Sequence, residues 1–82
     1  MSRANFHLVT HNVALKTAAL WEREAAALRA AEAGLCITKE LEKRRQYIRS
    51  YAEEATAAER KARVWHDKAD AALELIRIEN EN

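Results

Sequence analysis

The sequence predicts an all-α fold, an antiparallel hairpin of two helices, and three observations support this expectation. The 82 residues include 18 alanines, and alanine has the highest helix propensity of any residue. The chain has no proline and a single glycine, so it lacks the turn residues that a many-stranded β fold requires. That glycine, Gly34, separates two long stretches of helix-forming residues. We therefore expect one helical-hairpin domain over residues 1–82.

The first helix is the shorter one and is predicted over about residues 6–33, after a frayed tail at residues 1–4. Its start has two candidate caps, because Asn5 and Asn12 each precede a run of helix-forming residues. An apolar recurrence every seven residues begins at Phe6 and favours the earlier start.

The second helix is predicted over about residues 39–79 and is the longer arm of the hairpin. Gly34 suits the left-handed backbone position that ends the first helix. Thr38 suits the N-cap position of the second helix. Neither proline nor glycine occurs after this point. A short connection at residues 35–37 is therefore expected to reverse the chain.

The second helix carries a heptad repeat, which indicates a left-handed supercoiled contact with its partner. The first core position of the repeat reads Leu41, Ile48, Ala55, Ala62, Ala69 and Ile76. The second core position reads Arg44, Tyr51, Ala58, Trp65, Ala72 and Glu79. The matching stripe on the first helix is Ala14, Ala18, Trp21, Ala25, Leu28 and Leu35. Folding the chain about residue 36 places Ala18 opposite Ala55.

Two apolar surfaces remain after this hairpin forms, and contiguous exposed apolar surface of this kind marks interfaces. One is a second stripe on the first helix, and the other is the end of the second helix, expected to extend beyond the first after about His66. A chain this short buries a small core, so we also expect a homodimer. One surface is predicted to hold the second copy and the other a different protein. The predicted interface residues are Phe6, Val13, Leu20, Trp65, Ala69, Ala72, Leu73, Leu75, Ile76 and Ile78.

Basic side chains gather at the start of the second helix and suggest two alternatives. They form either the polar rim of a protein interface or a patch that binds RNA or DNA. Acidic residues interrupt the basic groups and the net charge is only +1, which weakens the nucleic-acid alternative. Arg44 occupies a core position of the heptad. We expect its charged end to extend out to solvent, to pair with Glu32 or to project at the hairpin tip. The residues of this group are Lys43, Arg44, Arg45 and Arg49.

No pattern in the sequence indicates an enzyme, a cofactor site or a metal centre. His7 and His11 have the i, i+4 spacing of two metal ligands, and His66 is expected near His7, but no carboxylate lies beside them in the sequence. Cys36 has no recognisable base for nucleophilic catalysis. No apolar run reaches the length of a membrane-spanning helix, and the N-terminus lacks the apolar region of a secretory signal. We expect a cytoplasmic protein without membrane contact.

The helical region 13–78 resembles a known class of small proteins in its composition and architecture. Alanine is abundant, and nine arginines stand against five lysines, as in proteins from GC-rich genomes. The chain resembles the small accessory proteins of temperate Pseudomonas phages. That resemblance implies host takeover, with inhibition of a host protein such as a transcriptional regulator (an anti-activator role) or the type IV pilus assembly ATPase. It is also similar to plasmid-copy-control (Rop-like) hairpin dimers that bind RNA, except for its longer second helix. A structural subunit of a helical assembly is the remaining alternative.

Overall fold

The computed structural model describes residues 3–35, 37–44, 47 and 50–81, and the three elements within them are all helices. They are α1 at Arg3–Glu32, α2 at Lys39–Arg44 and α3 at Tyr51–Glu81. α1 and α3 pack against each other to form a rod with extents of 53 × 19 × 19 Å. The predicted all-helical hairpin is confirmed in its main feature, and the helix boundaries differ from the prediction.

The first helix begins earlier than predicted, at Arg3, within the stretch assigned to a frayed tail. Met1 and Ser2 lie outside the described residues. Asn5 and Asn12, the two candidate caps, are both inside α1. With 30 residues against 31, α1 is nearly as long as α3, so the prediction of a short and a long arm is wrong.

Gly34 ends α1 as predicted, and its backbone has a positive φ of 73°. The Leu35 N–H donates to the Ala30 carbonyl at 3.0 Å, and the Gly34 N–H donates to the Ala31 carbonyl at 3.1 Å. These two bonds form the Schellman motif, which satisfies carbonyls that the helix end leaves unpaired. A Cβ at Gly34 would meet no atom within 4 Å, so backbone conformation and not space favours glycine here.

The second predicted helix, 39–79, is two separate helices. Thr38 caps α2 as predicted, because its Oγ1 accepts the Leu41 N–H at 3.2 Å. Ser50 starts α3 in the same way, and its Oγ accepts the Glu53 N–H at 3.3 Å. Ser50 and Glu53 have the spacing of a capping box, a local signal that begins a new helix without any proline or glycine before it.

The division of the second arm into α2 and α3 accompanies a register between the two long helices that differs from the prediction. Arg29 contacts Thr56 and Glu59, whereas His7 at the other end of α1 lies 3.5 Å from Glu79. α1 therefore accompanies α3 to its end, and the predicted extension of the second helix beyond His66 is wrong. Ala55 packs with Ala25, Leu28 and Ala31, not opposite Ala18 as expected. α2 contributes to the displacement, because its Leu41 packs into the cluster at the hairpin end and its six residues do not lengthen α3.

Most of the core is alanine. The buried hydrophobic residues among the described ones are Ala14, Ala18, Ala25, Leu28, Ala31, Leu41, Ala55, Ala58, Ala62, Ala69 and Ala72. Every member belongs to the predicted heptad positions or the matching stripe, apart from Ala31. Leu35, predicted to lie on that stripe, is exposed instead because it follows the helix end at Gly34. Alanine contacts let two helices approach closely but remove little apolar area from water, so this core stabilises the hairpin weakly.

Candidate functional site

A row of large apolar side chains lies on the solvent side of α1. Its members, Phe6, Val9, Val13 and Leu20, are each more than half exposed, and we call this row the α1 stripe. Phe6, Val13 and Leu20 repeat every seven residues, so they share one face of the helix. Lys16 is the one Lys, Arg, Asp or Glu residue in the stretch 5–20. The stripe predicted from Phe6, Val13 and Leu20 is therefore present on the surface.

A second exposed row lies on α3, and we call it the α3 stripe. It contains Val64, Ala71, Leu75 and Ile78, all of which are exposed. Val64, Ala71 and Ile78 also repeat every seven residues, and Leu75 follows Ala71 by one helical turn. Leu75 and Ile78, which belong to the predicted interface, are thus not covered by α1.

Several residues predicted for an interface lie between α1 and α3 instead. Ala69 and Ala72 are buried there, and the Ala69 carbonyl accepts a hydrogen bond from His11 Nδ1 at 2.9 Å. Trp65 and Ile76 are half-buried at the edges of the same contact. The predicted register, in which the start of the first helix reached only to about His66, left Ala69 and Ala72 uncovered, whereas α1 covers them in the structure. Leu73 remains exposed.

The α1 stripe ends in an open groove between α1 and α2. The groove has a volume of about 720 Å³. Leu20 and Trp21 form part of its wall from α1, and Arg44 forms part of its rim from α2. The Arg44 guanidinium donates to Glu24 at 2.7 Å, which raises the pKa of Arg44 and links α2 to α1. Arg44 thus pairs with Glu24 and not with Glu32.

The opposite side of the hairpin carries cross-helix polar pairs. Arg29 contacts Glu59 at 2.7 Å and Glu32 at 3.3 Å, and these hydrogen bonds raise the pKa of the Arg29 guanidinium. Seven residues away on each helix, Glu22 contacts His66. These pairs lie on one row of each helix, and we call the two rows together the ladder. Seven residues further toward the termini, the ladder positions are Leu15 on α1 and Leu73 on α3. Both are exposed, so the ladder is polar near the connection and apolar near the termini.

Basic side chains do not collect on one face of the described structure. Lys61 lies over the ring of Trp21 and Lys68 over the ring of Trp65, with distances of 4.3 and 4.2 Å to the ring centroids. Arg63 is two residues from Lys61 and therefore lies on another side of α3. Lys43 is exposed on α2, whereas Arg45 and Arg49 lie outside the described residues.

The histidines occupy three separate places. His7 faces Glu79, His11 donates to the α3 backbone, and His66 contacts Glu22. His66 therefore lies far along the rod from His7, and the expected histidine cluster is wrong. The described residues contain no group of three His, Cys, Asp or Glu side chains placed to hold a metal ion. Cys36 lies outside the described residues.

Sequence reasoning missed Val9, Val64 and Ser50. Val64 has a recognisable signal, because it continues the seven-residue spacing of Ala71 and Ile78. Ser50 also had one, the Ser-x-x-Glu capping pattern that ends at Glu53. Val9 breaks the strict seven-residue spacing, and its place on the α1 stripe follows from the helical turn between Phe6 and Val13.

Comparisons with known proteins give no relative. No protein-family model matches the chain, and searches of curated proteins and of solved structures found no match. Separately, the helices of the described region include none that is long and apolar enough to cross a membrane.

Proposed function

We propose that this chain is a non-enzymatic protein-binding module that docks an amphipathic helix of another protein on its α3 stripe. One observation carries the proposal: large apolar side chains lie outside the hairpin while alanines fill its core. A helix that exposes rows of apolar side chains to solvent has a face that a further packing partner can cover. The resemblance to phage accessory proteins makes a host regulator or the pilus machinery the proposed target.

The spacing of the α3 stripe supports a helix as the bound element. Val64, Ala71, Leu75 and Ile78 fall at the core positions of a heptad, and a partner helix places its own apolar residues between such positions. Helix-in-groove recognition uses anchors one and two turns apart, as here. The stripe extends over about 21 Å, enough for four turns of a partner helix.

Charges beside the α3 stripe favour a partner with a defined direction. Lys61 and Lys68 continue the row of Leu75 toward the connection and precede Val64 and Ala71 by three positions. The other edge carries Arg60 followed by Asp67 and Glu74, four positions before Val64, Ala71 and Ile78, so it is acidic toward the end of α3. Opposite charges at the edges of a helical contact set partner choice and orientation. The partner helix is therefore expected to carry acidic residues on one edge and basic residues on the other.

The polar contacts favour this function over nucleic-acid binding. Arg29 and Arg44 are engaged by glutamates, and Lys61 and Lys68 lie over tryptophan rings. A nucleic-acid site needs several cations free to replace counterions along a phosphate backbone. Among the described residues, such a continuous basic row is not formed.

Two matched substitutions test the proposal. Leu75 and Leu73 are almost equally exposed, at 46% and 45%, but they lie two residues apart and so on different sides of α3. Wild-type protein and the variants Leu75→Asp and Leu73→Asp are each used to capture proteins from a lysate of the native host. A captured protein is expected to bind the wild type and Leu73→Asp and to be lost with Leu75→Asp.

Hydrogen exchange on the purified complex locates the contact. Amides in residues 64–78 are expected to exchange more slowly in the complex than in the free protein. Circular dichroism controls for the folding of each variant. Equal capture by Leu75→Asp and wild type, or protection confined to other residues, contradicts the α3 stripe as the binding surface. Binding of RNA or DNA at low salt that weakens steeply with added salt would favour the nucleic-acid alternative instead.

A further inference from the structure

The hairpin exposes more surface than a compact monomer of its size. Its accessible surface is 6414 Å², whereas a folded monomer of 9.4 kDa exposes about 5000 Å². The excess of about 1400 Å² exceeds the roughly 800 Å² that each partner buries in a standard interface. The hairpin therefore has enough surplus surface for an interface of standard size.

The α1 stripe is the part of this surface with the fewest charges. Its four apolar residues are more than half exposed, and Lys16 is the one Lys, Arg, Asp or Glu residue in the stretch 5–20. The hydroxyls of the two threonines near the stripe already have hydrogen-bond partners. Thr10 donates to the carbonyl of Phe6 at 3.0 Å, and Thr17 donates to the carbonyl of Val13 at 2.9 Å. Their hydroxyls can enter an interface without a new partner and without the cost of an unpaired polar group.

The spacing of the α1 stripe is symmetric about its centre. Phe6 and Leu20 each lie seven residues from Val13. A twofold axis that passes beside Val13 therefore brings Phe6 of the first copy opposite Leu20 of the second, and Leu20 of the first copy opposite Phe6 of the second. Such a self-complementary contact is what a twofold dimer requires.

The groove beside Leu20 gives the phenylalanine of the second copy a place to pack. In the antiparallel arrangement Phe6 of the second copy arrives where Leu20 and Trp21 border the open groove of about 720 Å³. An aromatic side chain buried between Leu20 and Trp21 removes a large apolar area from water and can contact the indole ring edge to face. Phe6 is 62% exposed in the single hairpin, so it is free to make this contact.

Charge selects the antiparallel over the parallel orientation. In a parallel pairing in register, Lys16 of one copy lies beside Lys16 of the other, and like charges at a helix contact are destabilising. In the antiparallel pairing centred on Val13, Lys16 lies opposite the neutral Thr10. The antiparallel arrangement also aligns the helix dipoles favourably.

We infer that two copies of this chain associate through an antiparallel α1–α1 contact centred on Val13, with Phe6 of each copy seated in the groove between α1 and α2 of the other. The inference deepens the proposed function, since both assign the exposed apolar rows to partners. It leaves the α3 stripe of each copy free for the target protein.

Light scattering coupled to gel filtration tests the contact. Wild-type protein is expected to have about twice the chain mass of 9.4 kDa. Val13→Asp places two carboxylates at the axis and is expected to give the monomer mass with the helical circular dichroism retained. Leu8→Asp is the matched control, because Leu8 is also exposed on α1 but outside the stripe, and it should remain dimeric. A monomeric wild type, or a dimeric Val13→Asp, overturns the inference.

Cysteine cross-linking tests the orientation and does not depend on the aspartate variant folding. Phe6→Cys and Leu20→Cys are made separately, each with Cys36→Ser, and mixed before oxidation. The mixture is expected to yield the Phe6→Cys/Leu20→Cys disulfide, since these positions face each other. Phe6→Cys alone should form no disulfide dimer, because its two copies lie about 21 Å apart along the axis. Efficient self-linking of Phe6→Cys overturns the antiparallel arrangement.

The two proposals fail separately in these experiments. Loss of the dimer with retained capture of a target by the α3 stripe contradicts the α1–α1 contact alone. A dimer of the stated geometry that captures no target contradicts the proposed function alone.

Discussion

The two halves of the rod bury different side chains. Near the connection, residues 21–44 and 51–62 bury two leucines together with alanines, and Trp21 and Tyr51 pack against that cluster. Near the termini, each buried hydrophobic residue among the described ones is an alanine, and they are Ala14, Ala18, Ala69 and Ala72. Most of the large apolar residues of this terminal half are exposed instead, among them Phe6, Val13 and Leu75. The connection half therefore has a small core that includes large side chains, whereas the core of the terminal half consists of alanines.

The polar contacts follow the same division. The connection half has cross-helix pairs at Arg29–Glu59 and Arg44–Glu24, and capped helix ends at Thr38 and Ser50. Exposed ion pairs contribute little stability individually, but they fix register and keep this surface hydrated. In the terminal half the ladder continues with Leu15 and Leu73. The ladder is therefore polar near the connection and apolar near the termini.

The largest effect is expected from Leu41→Ala, which breaks the connection half. Leu41 is almost wholly buried, with 1% exposed, and its removal leaves a cavity. We expect the free energy of unfolding to fall by about 2–5 kcal/mol. Urea denaturation followed by circular dichroism, at one protein concentration, measures the change.

Leu35→Ala is the matched control, because Leu35 is 81% exposed near the same end of the rod. Its urea midpoint should stay close to that of the wild type. Equal losses for the two variants would show that the connection half has no core of its own.

A smaller effect is expected in the terminal half from Ala69→Leu. Ala69 is fully buried where α1 and α3 meet, and its carbonyl accepts the His11 hydrogen bond. A larger side chain forces the helices apart and should cost about 1–3 kcal/mol. The exposed Ala71 is the control, and Ala71→Leu should leave the thermal midpoint nearly unchanged. If Ala69→Leu stabilised the protein, α1 and α3 would not be in close contact at the position of Ala69.

The smallest change is expected from Tyr51→Phe, and it is a gain. The Tyr51 hydroxyl is buried at the edge of the connection core and has no hydrogen-bond partner among the described residues. Removing an unsatisfied hydroxyl while keeping the ring should stabilise the protein by about 1 kcal/mol. Thermal unfolding measures the gain, and a loss of stability would show that the hydroxyl is hydrogen-bonded in solution.

Local sequence signals predicted the helical content and the helix–helix contact. The positive φ at Gly34, the Thr38 cap and the buried heptad positions of α3 all follow from patterns within a few residues. The Ser50 cap has an equally local signal, but the absence of proline and glycine around it favoured one continuous helix. A short side chain that accepts a backbone N–H can mark the start of a helix where neither proline nor glycine precedes it.

The formation of helices, the end of the first helix and the helix faces that meet can all be read from the amino-acid sequence, because they depend on propensity, capping and seven-residue spacing. The register of α1 against α3, and hence the set of apolar residues that remain exposed, emerges from the packing of the whole chain. Register depends on where the chain turns back, and the turn includes α2, whose Leu41 packs into the connection core. That placement covers Ala69 and Ala72 with α1 and leaves Phe6, Val13 and Leu75 on the surface.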